Sequence, residues 1–251
     1  MKELPLIILS HKRADRVDTL KIVSNCSICI PESQAKDYKH FNPNTPLIVH
    51  PDDVRGLTAK IKWVYDLYPN VVMLDDDLNK FNRNFVDDTF ELGQHVDDPD
   101  LVYEIIQHTG WIAEQMKVKL FGFAANAVPV TYQSHNPYKL SGFVIGGIFG
   151  LLEGFRLDIM PEDSTAACDY FISGISAYFE RKCLLNNRYA VTSKEGTFKS
   201  KGGTADYRTP DTEKKDLQLL KEYFGDAIVR KKPSRVRKEL YEWEKTLKIP
   251  F

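Results

Sequence analysis

The sequence predicts an α/β fold built on a parallel sheet, and three observations carry that reading. Short apolar runs recur at residues 4–9, 26–30, 46–49 and 71–74, with helix-like stretches between them. The runs are nearly continuous rather than alternating, as strands covered on both faces are. The fourth is followed at once by Asp75-Asp76-Asp77, three carboxylates at the point where a strand leaves its sheet, the edge at which α/β sheets bind ligands.

Each element has a local reason. Strand one opens into Ser10-His11-Lys12-Arg13, and a helix with Val17, Leu20 and Val23 on its apolar side is expected to follow and stop near Asn25. Pro31 closes the second strand, a short helix is expected over 33–38, and Pro51 closes the third strand. Gly56 precedes a helix carrying Ile61, Val64, Tyr65 and Leu67, ended by Pro69-Asn70. Residues 79–99 are polar with little periodicity and read as a long loop. Asp100 is the expected cap of a helix with Ile105, Ile106, Trp111 and Ile112, and a strand is expected over 119–123. The glycine-rich run 142–152 reads as a strand with a bend or a close backbone approach. Asp169 opens a helix with Phe171, Ile172 and Ile175, and 189–191 is a short strand. Residues 193–210, rich in Gly, Ser, Thr and Lys, read as a loop able to close on an anion, and helices over 212–224 and 234–247 follow.

Composition bounds the function. A net charge of −1 gives no global attraction to nucleic acid, so any such contact must come from a local patch, and Arg230, Lys231, Lys232, Arg235, Arg237 and Lys238 form one. No run is long and apolar enough to span a membrane, and the first residues lack a signal-peptide layout, so no membrane association and a cytoplasmic location are expected. Cys26 and Cys29 have CxxC spacing but no second pair, which favours buried thiols over zinc.

The acidic triplet carries the chemistry. Adjacent carboxylates raise one another's pKa unless a cation or a row of helix N-terminal amides neutralises them. A solvated acidic turn is the alternative, but a buried strand feeding the triplet favours a metal. Magnesium or manganese suits oxygen ligands of this kind, and a metal beside a nucleotide-type half-sheet suits a reaction whose leaving group is a diphosphate.

A strand followed by D-x-D after a βαβαβ half resembles the metal site of GT-A-type glycosyltransferases, with Asp75 and Asp77 matching its two aspartates. Gly56-Leu57-Thr58-Ala59-Lys60, Met73-Leu74-Asp75-Asp76-Asp77-Leu78, Phe81 and Arg83 narrow the likeness, as does Gly202-Gly203-Thr204-Ala205-Asp206-Tyr207-Arg208-Thr209. Together they are similar to the glycosyltransferases that phages encode beside thymine or 5-methylcytosine dioxygenases, which attach sugars to hydroxymethylated pyrimidines in DNA. The chain departs from that pattern at Cys168-Asp169, where an acidic pair is expected, with Glu162-Asp163 nearby. All six histidines precede residue 136, so the third metal position falls to water or donor phosphate.

The resemblance implies a GT-A-like domain over 1–229, with a Rossmann-like nucleotide-binding half at 1–80 and an acceptor half at 81–229, then a basic C-terminal helix at 230–251. It implies Mn2+ or Mg2+ on Asp75 and Asp77, and a UDP-sugar donor, most plausibly UDP-glucose. Ser10, His11 and Arg13 would hold the nucleotide, with Asp76 beside them, against the alternative of a solvated helix start. Lys60 would reach the diphosphate unless it lies on an exposed helix face, and Lys201 and Arg208 would close over the phosphates. Asp169 would be the general base, or merely cap its helix, with Asp163 as the runner-up. The acceptor implied is hydroxymethylated DNA, its backbone tracked by the C-terminal basic cluster with Tyr241 and Trp243. A glycan, lipid or protein hydroxyl is the alternative acceptor, and a metal-dependent nucleotidyltransferase or nucleotide-binding module is the alternative class.

Overall fold

The four apolar runs become four parallel strands: β1 (Leu6–Leu9), β2 (Cys26–Pro31), β3 (Leu47–His50) and β4 (Val71–Asp75). The structure, a computed structural model, describes residues 3–86, 93–193, 203–206, 208–231 and 245–249. Helix α1 (Ala35–Phe41) lies between β2 and β3, and α2 (Gly56–Leu67) between β3 and β4. After the acidic turn come β5 (Leu78–Arg83), α3 (Pro99–Gln115), β6 (Leu120–Ala124), β7 (Tyr138–Lys139) and β8 (Ile148–Leu151). The remainder is α4 (Cys168–Ile175), β9 (Leu184–Ser193), α5 (Pro210–Phe224), β10 (Ile228–Arg230) and β11 (Lys245–Leu247).

Among the described residues, nine strands form one sheet in the order β3-β2-β1-β4-β8-β6-β9-β5, with β7 also beside β9. The half ending at β4 is parallel, as expected; β8 runs against both β4 and β6 and makes the whole sheet mixed. Alternate residues of each central strand enter opposite cores. Ile7, Leu9 and Met73 pack with Ile61 of α2, Phe171 of α4 and Leu220 of α5. Leu6, Ile8, Val72 and Leu74 pack with Tyr38 of α1 and with Val102 and Ile106 of α3. Both faces are covered, which is why the strands read as unbroken apolar runs. The close approach expected of the glycine-rich run is at Gly150, where a Cβ would fall 2.0 Å from the Phe121 ring.

Several elements differ from the sequence reading, each for a physical reason. The helix expected through Val17, Leu20 and Val23 is only a 3-10 turn, Asp18–Lys21, flanked by left-handed Lys12 and Asn25. Its Thr19 is drawn onto the acidic turn instead: the hydroxyl donates to the Asp75 carbonyl at 2.6 Å and accepts from the Leu78 amide at 3.1 Å. Residues 79–83, expected as loop, belong to β5, antiparallel to β9; residues 87–92 of the expected loop lie outside the described residues. The cap of α3 is Asp98 rather than Asp100, accepting from the amides of Asp100 and Leu101 ahead of Pro99 at the first turn. β9 extends well beyond the short strand expected at 189–191. The helix expected over 234–247 is corrected at its end, where residues 245–247 form β11 antiparallel to β10; residues 232–244 lie outside the described residues.

Candidate functional site

β1 pairs with β2 on one side and β4 on the other, so the chain leaves the sheet in opposite directions around β1 and opens a crevice at the strands' carboxyl ends. Ser10 and Arg13 follow β1 into that crevice; Asp75, Asp76 and Asp77 follow the neighbouring strand. The two segments are locked together. The Ser10 hydroxyl donates to Asp76 Oδ2 at 2.5 Å, and the Arg13 guanidinium donates to Asp76 Oδ1 at 2.5 Å and to Asp77 Oδ2 at 3.2 Å. Tyr38 Oη lies 2.7 Å from Ser10 Oγ and accepts the Arg13 amide at 3.1 Å; because the Ser10 proton is given to Asp76, the tyrosine is the donor to Ser10. Asp76 is 4% exposed, and both its oxygens are satisfied. It clamps the turn.

Asp75 and Asp77 are left with more negative charge than the site neutralises. Asp75 is pushed well above the ordinary carboxylate pKa by burial, and then by repulsion from Asp77, Asp76 and Asp169. Its amide is held by the Gly147 carbonyl at 3.0 Å, which fixes the turn while leaving the carboxylate to the cleft. Among the described residues no group of three or more His, Cys, Asp or Glu side chains is arranged to hold a metal. The donor set nevertheless fits a hard divalent cation: two carboxylates supply oxygens and the uncompensated charge, leaving the other positions to phosphate and water.

The crevice is a cleft of about 540 Å³ between the ends of β1, β2 and β3 and the start of α2, with the three aspartates, Ser193 and Gly203 along its rim. Lys60 lines it and is buried, not on an exposed helix face. Its ammonium donates to the Ser10 carbonyl at 2.6 Å and the Cys29 carbonyl at 3.5 Å, and burial lowers its pKa to about 8. His11 meets Gln34 at 3.1 Å, and its carbonyl receives the Gly203 amide at 3.1 Å. α2 begins at the cleft without a side-chain cap and without an acidic residue in its first turn, so its positive end faces the cavity.

Asp169 stands at the start of α4, close enough to Asp75 to raise its pKa. Burial raises the pKa of Asp169 itself to about 6, opposed by Arg208, by the Tyr170 amide at 3.0 Å and by Lys245. The loop before α4 is held from α5: Asp216 accepts the amides of Thr165 and Ala166 at 2.9 and 2.8 Å, and Arg208 donates to the Ala166 carbonyl at 3.0 Å. Glu213 pairs with Arg208 at 3.6 Å and with buried Lys245 at 2.8 Å.

Of the residues singled out in the sequence, the structure brings Ser10, His11, Arg13, Lys60, Asp75, Asp76 and Asp77 to one cleft. It sets Asp169 near Asp75 and Arg208 against the loop before Asp169 rather than along the cleft. Asp163 is on the surface, 55% exposed and paired with Lys215 at 3.1 Å, and Glu162 is more exposed still. Lys201 lies outside the described residues. Glu213, Asp216, Lys245 and His50 went unread, since nothing local to them signals burial.

One comparison with known proteins is informative. The model of the family described as TAGT, TET-Associated Glycosyltransferase, matches residues 4–150, which contain every residue that joins β1 to the acidic turn. Among solved structures, one similar chain is titled the structure of CMP:2-keto-3-deoxy-manno-octonic acid synthetase complexed with CTP. It is 10% identical over 88% of this chain and 100% of its own, with a TM-score of 0.38, too slight a likeness to assign anything. No curated protein matches.

Proposed function

Because the chain belongs to the TET-associated glycosyltransferase family, and is a glycosyltransferase on that ground, we propose that it moves a sugar from a UDP-sugar to the hydroxymethyl group of a modified pyrimidine in DNA. The observation that carries the proposal is the pair Asp75 and Asp77, short of positive charge at the mouth of a nucleotide-sized cleft, with Asp169 beside it. Among the described residues no helix is long and apolar enough to cross a membrane.

Ser10, His11 and the start of α2 hold the nucleotide, and Lys60 faces its diphosphate. Asp75 and Asp77 would hold Mn2+ or Mg2+, which supplies charge to the departing diphosphate. Arg13 and Asp76 keep those two carboxylates in place. Asp169 takes the proton from the acceptor hydroxyl as its oxygen attacks the anomeric carbon and the bond to the diphosphate breaks, releasing UDP. A carboxylate with pKa about 6 is ionised at neutral pH yet basic enough to assist that transfer. On the acceptor side, a groove of about 410 Å³ presents Asn126, Tyr132, Asn136, Lys139 and Phe143. Phe143 packs on Tyr170 at 4.9 Å, next to Asp169. Amides and aromatic faces of this kind suit unstacked bases.

The test is mass spectrometry of nucleosides from hydroxymethylated and plain DNA incubated with the protein, Mn2+ and a mixture of nucleotide sugars. A hexosylated hydroxymethylpyrimidine formed from the UDP-sugar is expected. Transfer to glycans or small hydroxyl acceptors, with none to hydroxymethylated DNA, would overturn the DNA acceptor. Hydrolysis of nucleoside triphosphates with no sugar transfer would overturn the donor.

A further inference from the structure

His50 ends β3 at the wall of the cleft, paired in register with Pro31, and the residue is only 2% exposed. Nδ1 lies 2.8 Å from the Pro51 carbonyl. A carbonyl can only accept, so Nδ1 carries the proton and Nε2 of the neutral ring is a bare acceptor. Burial and nearby Lys60 favour that neutral form, holding the pKa below its usual value. Trp63 packs against the ring, centroids 5.7 Å apart, and fixes its place. Nε2 is buried and has no hydrogen-bond partner among the described residues. An acceptor left so costs on the order of 1–3 kcal/mol unless something else satisfies it.

The neighbours of His50 define what would satisfy it. Of the acceptors beside it, Asp52 Oδ1 takes the amide and hydroxyl of Ser33, and the Pro51 carbonyl takes His50 itself. Donors line the same cleft, the first-turn amides of α2 at Gly56 and Leu57, which receive no side-chain cap. One acceptor among donors is the complement of an imide, an N–H flanked by two carbonyls. Uracil has that edge at N3. Cytosine and adenine instead place an amine beside a bare ring nitrogen, and guanine flanks its N–H with an amine on one side.

We propose that His50 Nε2 accepts the N3–H of the donor's uracil and so selects uridine nucleotides. The proposal rests on the nucleotide-sugar reading above and names the residue that reads the base.

Isothermal titration with UDP, 3-methyl-UDP and CDP in the presence of Mn2+ tests it, using the wild-type protein and His50→Ala. The wild type should bind UDP at least about tenfold more tightly than 3-methyl-UDP, the scale of one buried hydrogen bond. His50→Ala should bind UDP about tenfold more weakly than the wild type does and accept both uridine ligands alike. If that variant fails to fold, the 15N NMR signal of wild-type His50 Nε2 decides: it should shift with UDP and stay put with 3-methyl-UDP. Equal affinity of the wild type for the two uridine ligands, or an Nε2 signal unmoved by bound UDP, would overturn the role of His50 while leaving the donor reading intact. Failure of any nucleotide diphosphate to bind would overturn both.

Discussion

Lys245 and Glu213 form a buried ion pair, Nζ to Oε2 at 2.8 Å, with both side chains less than a tenth exposed. The lysine's carbonyl accepts the Tyr170 hydroxyl at 2.8 Å, and its ammonium lies 5.7 Å from the centre of the same ring. β11 is thereby keyed to α5 and to the first turn of α4, the helix that begins at Asp169.

Removing Lys245 leaves Glu213 only the more distant Arg208, at 3.6 Å, to offset its charge in a poorly solvated place. Lys245→Met should cost about 3–5 kcal/mol, read by denaturant unfolding, whereas Lys245→Met combined with Glu213→Gln should recover much of the loss. Additive losses in the double variant would show that the two charges are not coupled.

Neighbouring aspartates should behave differently. Asp77→Asn should abolish turnover and metal-dependent nucleotide binding while the melting temperature stays nearly unchanged. Asp76→Asn leaves buried Arg13 without its closest charge and should destabilise the fold by roughly 2–4 kcal/mol. Calorimetry and activity measured on both variants check the contrast; full activity in Asp77→Asn would remove the metal assignment.

Asp169→Asn should slow sugar transfer by a factor on the order of a hundred or more with donor affinity near normal. Its effect on stability has the opposite sign. The folded-state pKa, about 6, is above the ordinary 3.8, so the folded protein holds this proton more tightly than the unfolded chain does. That stability is present in acid and lost as pH rises through about 6. In chelator, without donor, the variant should therefore be the more stable protein at neutral pH, by on the order of 1 kcal/mol, and the advantage should vanish near pH 4. A variant less stable than the wild type at neutral pH would show that the carboxylate is structural.

Neutralising Arg230, Lys231, Arg235 and Arg237 together should raise the KM for DNA and flatten the salt dependence of transfer, leaving hydrolysis of the nucleotide sugar unchanged. An unaltered salt slope would mean that this cluster does not track the phosphate backbone.

What could be read in advance followed from how local each cause is. β1 to β4 and α2 were legible because burial on two faces writes itself as consecutive apolar residues. The crevice residues 10–13 and 75–77 were legible because they directly follow such strands. β5 was hidden by its own polarity: Asn82 is buried, donating to the Ala190 carbonyl and accepting from His95 at 2.7 Å, partners far from it in sequence. The helix expected near Val17 was lost to Thr19, whose bonds to Asp75 and Leu78 span more than fifty positions. His50, Glu213, Asp216 and Lys245 are of the same kind. Each owes its place to distant chain, and no window of sequence contains the reason.

The step from Asp75 to Leu78 has a consequence for the shape of the sheet. β4 and β5 are four strand spacings apart in the sheet order, roughly 19 Å if the sheet were flat, yet three residues can span no more than about 11 Å. The far edge must therefore roll back over the ends of β8 and β6, and at Gly147 a Cβ would lie 3.2 Å from Val191 and 3.4 Å from Leu78. Asp76 and Asp77 form the seam where the rolled sheet is stitched to its own middle. The separation across that seam is set by the curvature of a hydrogen-bonded surface, and a bulge or deletion along β9, the strand that pairs with β5, would change it.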